Sequence, residues 1–83
     1  MPYAAVIYSI NWDAKIATIW QVIIAETREE AERRGKRALQ LLQEDKFPGE
    51  YYWLSIINDG HIEIEDDECG DHITLKMAIL ESD

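Results

Sequence analysis

The sequence predicts an α+β domain in which one helix packs on a mostly antiparallel sheet, in the order β-β-α-β-β-β. Three observations carry this. Two β-branched and aromatic runs are separated by turn residues, a capping box opens one stretch of helical period, and a clean apolar–polar alternation follows an Asp-Gly turn.

The first run, Tyr3 to Ile10, contains Val6, Ile7, Tyr8 and Ile10, and Asn11-Trp12-Asp13 supplies the turn. Ile16 to Ala25 repeats the same composition, so the two read as a hairpin. Strict alternation in the second strand would place Ile16, Thr18, Trp20, Val22 and Ile24 on one face and Ala17, Ile19, Gln21 and Ile23 on the other.

Thr27-Arg28-Glu29-Glu30 has the spacing of a capping box, with the threonine hydroxyl accepting from the N3 amide and the glutamate reaching back. Glu29, Glu30 and Glu32 suit the positive end of the helix dipole. Ala31, Gly35, Ala38, Leu39 and Leu42 then recur at helical spacing, and Pro48-Gly49 stops the segment after Phe47. A mid-helix glycine costs about 1 kcal/mol relative to alanine. Gly35 lies on the apolar stripe, so it is read as the point where the helix sits close to the sheet.

Tyr51 to Ile57 reads as a third strand, and Asn58-Asp59-Gly60 as a tight turn supplying positive φ. In His61-Ile62-Glu63-Ile64-Glu65 the isoleucines face inward, and Asp66 to Asp71 forms a polar loop. Ile73 to Leu80 closes the sheet with Ile73, Leu75, Met77 and Ile79 on one face.

The 83 residues make one domain, and 47% hydrophobic content excludes the disordered class. No apolar run approaches the ~20 residues needed to span a bilayer, and Met1-Pro2-Tyr3 is not followed by a basic signal region. With a single cysteine, Cys69, no intrachain disulfide can form, and the expected setting is cytoplasmic. For a phage-encoded chain that means the host cytoplasm. A net charge of −9 opposes direct binding to nucleic acid or an anionic membrane and favours a basic protein partner.

Asp59, Glu63, Glu65, Asp66, Asp67, Glu68 and Asp71 place seven carboxylates within thirteen residues, with no Lys or Arg among them. Such a row imitates the phosphates of a nucleic acid and suits a basic groove; the competing reading is a solvated loop that aids solubility. The loop lacks the spacing of an EF-hand, and His61, Cys69 and His72 lack a paired-cysteine knuckle, so no metal site is expected. Neither a phosphate-cradling glycine motif nor a G-x-S-x-G elbow occurs, and acidic neighbours disfavour a Cys69 thiolate. The expectation is a protein that is not an enzyme and uses no cofactor. Arg28, Arg33, Arg34, Lys36 and Arg37 supply five of the eight cations and alternate with acids, the pattern of a solvated helix face. One helix cannot cover both faces of an apolar sheet, so a partner or a homodimer contact is expected on the face that bears Trp20.

The hairpin followed by Ala25-Glu26-Thr27-Arg28-Glu29-Glu30-Ala31 resembles the first half of HicB-type antitoxins, in which two strands precede a T-x-E-E-A helix start. In size, acidity and compact α+β plan the chain also resembles small phage proteins that inhibit host defence, anti-CRISPR proteins among them. These resemblances imply an inhibitor that occupies a basic, nucleic-acid-binding site on its partner. The alternatives are an antitoxin-like or accessory subunit that binds through the apolar sheet face, and a metal-binding protein.

Overall fold

The computed structural model describes residues 2–46, 61–65 and 70–81. Among these are β1 (Tyr3–Asn11), β2 (Ile16–Ala25), α1 (Arg28–Lys46), β3 (His61–Glu65) and β4 (His72–Glu81). The strands form one antiparallel sheet in the order β2-β1-β4-β3, covered on one side by α1. The fold is therefore α+β with one helix on an antiparallel sheet, as the pattern predicts. The strand expected over Tyr51 to Ile57, the Asn58-Asp59-Gly60 turn and the Pro48-Gly49 stop lie outside the described residues.

The capping threonine works as its spacing implies. Glu30 N donates to Thr27 Oγ1 at 3.1 Å, and Ala31 N makes the first helical bond to Thr27 O at 3.0 Å. Along α1 the buried positions are Ala31, Gly35, Leu39 and Gln43, with Ala38 and Leu42 packed beside them. This is the predicted stripe, extended by one polar residue.

The core falls into two clusters under the helix. Ile7, Leu39, Ile62, Ile64 and Leu75 form one, and Ala5, Ile23, Ala25 and Ala31 the other. Met77 and Ala38 touch both and join them. The isoleucines of β3 and the odd-numbered residues of β4 point to the helix, in agreement with their alternation.

Gly35 is where α1 comes nearest the sheet. A Cβ there would overlap Met77 Sδ and stand 3.0 Å from Ala5 Cβ. The conformational cost of glycine in a helix is offset by a closer approach to β1 and β4.

The second strand departs from strict alternation. Its register against β1 shifts between Ile7 and Tyr8: Ile7 pairs with Gln21, and Tyr8 pairs with Ile19. Trp20 is the extra residue of a bulge, and the phase of β2 reverses there. Val22 and Ile24 pair with Val6 and Ala4 on the face away from α1, together with Ile19 and Ala17. Ile16, Thr18 and Trp20 lie on the helix side, and the Trp20 indole N–H donates to the buried Ser9 hydroxyl at 2.8 Å. The expected grouping of Trp20 with Val22 and Ile24 is thus corrected, because the inserted residue turns the later side chains over, and Trp20 does not mark the sheet face left open by α1.

Two stability outcomes follow. Thr27→Ala should cost roughly 0.5–2 kcal/mol through loss of the cap, read as a lower urea midpoint; equal midpoints would show that the cap does not form. Gly35→Leu should destabilise by about 1–3 kcal/mol, since overpacking against Met77 and Ala5 outweighs the gain in helix propensity, and a stabilised variant would contradict the close approach.

Candidate functional site

The face of the sheet away from α1 has an apolar end and a polar end. Its apolar end is built by the alternate residues of three strands: Ala4, Val6, Tyr8 and Ile10 of β1, Ala17, Ile19, Val22 and Ile24 of β2, and Ala78 and Leu80 of β4. Ile19 is 70% exposed, Ile24 59%, Leu80 55% and Val22 54%. Isolated exposed apolar residues are ordinary, but a contiguous set on adjacent strands marks a contact surface.

Beyond the bulge the loop between β1 and β2 is fixed rather than loose. Asn11 Oδ1 accepts from Asp13 N at 3.1 Å and Ala14 N at 2.9 Å, which closes the turn locally. Lys15 completes it in the left-handed region at φ 59°. The same loop is tied to the start of β4. Asn11 Nδ2 donates to Asp71 Oδ2 at 3.1 Å, Trp12 N to His72 O at 2.9 Å, and His72 N to Asp13 Oδ2 at 2.6 Å. Trp12 Nε1 donates to Thr74 Oγ1 at 2.8 Å, so its ring lies against β4. Trp12 is still 56% exposed, and it bounds the face at this end.

The polar end is a shallow groove lined by Ile10, Trp12, His61, Glu63, Thr74 and Lys76, with His72 at its rim. Glu63 Oε1 lies 3.4 Å from His61 Nε2 and 3.7 Å from His72 Nε2, between the two imidazoles. Among the described residues no group of three or more His, Cys, Asp or Glu is placed to hold a metal ion.

Of the seven carboxylates singled out from the sequence, Asp59, Asp66, Asp67 and Glu68 lie outside the described residues. Glu63 stands between His61 and His72, Asp71 accepts from Asn11, and Glu65 closes β3 opposite His72. Glu63, Glu65 and Asp71 therefore belong to one end of the β3–β4 hairpin. The cations lie elsewhere: with Lys46, six of the eight are on α1, on the other side of the sheet. Arg28 pairs with Glu32 at 3.2 Å, and Arg34 with Glu30 at 3.7 Å, both i,i+4 pairs as the alternating charges imply. Arg34 Nη1 also donates to the carbonyl of Ile24 at 3.1 Å, occupying an outward-facing group of the β2 edge.

Sequence reasoning missed the staple between the 11–15 loop and residues 71–74. Its members are ordinary turn residues, and only the pairing of β1 with β4 brings them together. No helix among the described residues is long and apolar enough to cross a membrane. A scan against family models, a search of curated proteins and a search of solved structures each found nothing that matches the chain.

Trp12→Phe keeps the ring and removes the indole donor. It should cost about 0.5–1.5 kcal/mol in a thermal or urea melt, the net worth of one hydrogen bond; unchanged stability would mean that the bond to Thr74 is not made in solution.

Proposed function

We propose that this chain is a small protein-binding inhibitor that presents its acidic end to a basic, nucleic-acid-binding site on a partner protein. The observation that carries the reading is the segregation of charge. Acids crowd the β3–β4 end, while six of the eight cations lie on α1, where Arg28 and Arg34 are drawn into pairs with Glu32 and Glu30 and Arg34 also bonds the Ile24 carbonyl. The net charge of −9 is thereby left without a compensating cation cluster beside the carboxylates, apart from Lys76. A basic groove evolved for phosphates would attract such an end through many individually weak contacts. Small phage anti-defence proteins, which this chain resembles in size and charge, are the kind of inhibitor meant.

A second reading rests on a different observation. The apolar part of the open face that carries Ile19, Val22, Ile24 and Leu80 suits an accessory or antitoxin-like subunit, held by apolar contact.

The test uses proteins that bind a DNA column, applied to the immobilised chain. Capture should occur at low salt, be reversed by added salt and be competed by free duplex DNA, because exposed charge contacts are screened over about 8–10 Å at physiological ionic strength. Changing Glu63, Glu65, Asp67 and Glu68 to Lys should abolish capture while circular dichroism stays native. Capture that persists in high salt, or an undiminished folded quadruple variant, would reduce the acidic stretch to a solubility device.

A further inference from the structure

We infer that the open sheet face is a homodimer interface, on which a second copy of this chain packs its own open face to make a two-layer sandwich. This rests on the second reading above and assigns the occupant of that face.

Three observations select a second copy and a face-to-face contact. The first is charge. Neither β1 nor β2 contains a single charged residue, and on β4 the open face carries only Lys76 as a full charge beside His72 and Thr74. A chain of net charge −9 is repelled by its own copy nearly everywhere, and the β1–β2 part of this face is the large described surface where two copies meet without opposed carboxylates. Over β1 and β2 the face offers a basic partner nothing electrostatic to recognise. Its polar end holds Glu63 with His61, His72 and Lys76, a mixed set in which unlike groups can meet across a two-fold axis.

The second observation concerns the edge. Among the described strands β2 lies at the edge, with ten residues and no Lys, Pro or inward charge, a composition open to pairing with another chain. Two features blunt it, however: the bulge at Trp20 interrupts the ladder, and Arg34 caps the Ile24 carbonyl. Association through backbone pairing is therefore hindered, and the bulge also turns Val22 and Ile24 onto the open face beside Ile19.

The third is area. Strands about 4.8 Å apart and residues about 3.3 Å along make a four-stranded face of this length roughly 500–600 Å². Two copies then bury on the order of 1,000–1,200 Å², at the lower end of what a specific interface needs.

Sedimentation velocity on the full chain across micromolar concentrations tests this. The native chain should be a dimer that holds or tightens as sodium chloride is raised, since salt screens repulsion between the acidic copies. Ile19→Glu and Val22→Glu, which place a charge in the middle of the face, should each weaken the dimer by at least about tenfold with circular dichroism unchanged. Leu41→Glu, at an equally exposed apolar position on α1, should leave the dimer intact. A native chain that is monomeric throughout, or a dimer indifferent to Ile19→Glu and Val22→Glu, would overturn the inference. A monomer whose capture of another protein is lost in Ile19→Glu would overturn self-association and keep the apolar-face reading; a monomer indifferent to these changes in every assay would remove both.

Discussion

The contact between α1 and the sheet at Gly35 governs how the rest of the described chain can be arranged. Without a Cβ at this position the helix lies down on Ala5 and Met77, and its flanking stripe residues Ala31 and Ala38 are also small. Small residues on both partners bring two layers close and let the larger Leu39 fill the space over Ile7, Ile62 and Leu75. α1 is thereby committed to one side over the middle of the sheet. The far side, and the β2 end beyond the bulge, receive no cover from it.

How much of this was legible in the sequence depends on whether the signal is local. The cap at Thr27, the stripe through Leu42 and the inward isoleucines of β3 are local patterns, and each reappears in the structure. Strict alternation groups the β2 residues on either side of Trp20 in opposite phase to the structure, because a bulge adds one residue without any compositional mark. Trp20 has the β propensity of its neighbours and gives no hint that it is supernumerary. The strand order was equally hidden. Nothing in Tyr3–Asn11 says that its second neighbour is His72–Glu81, and the loop staple depends on that pairing. Of the seven carboxylates, Glu63, Glu65 and Asp71 lie among the described residues, toward one end of the β3–β4 pair.

Two surfaces of opposite character result. Charge acts at a distance and is sensitive to ionic strength, whereas apolar surface acts only in contact and gains when water is excluded. They lie on one sheet but do not compete for the same side chains, apart from the Glu63 groove where they meet. A two-layer sandwich made through the open faces would carry an acidic end on each copy, which doubles the charge available to a basic site.

The pairing of β1 with β4 also has a consequence for synthesis. Tyr3 sits opposite Glu81 and Asn11 opposite Ile73, so the ladder at the centre of the sheet joins residues about as far apart in the chain as the sheet allows. Loop closure over such a separation is slow, and native contacts of this kind form late. The β1–β2 hairpin and α1 leave the ribosome well before residues 72–81 do. Until then Ile7, Ile23 and Leu39 have no Leu75 or Met77 to pack against, and the apolar β2 is displayed on a nascent chain. The protein must therefore fold largely after translation of β4, and its window for misassociation is the interval in which the hairpin exists without its central partner.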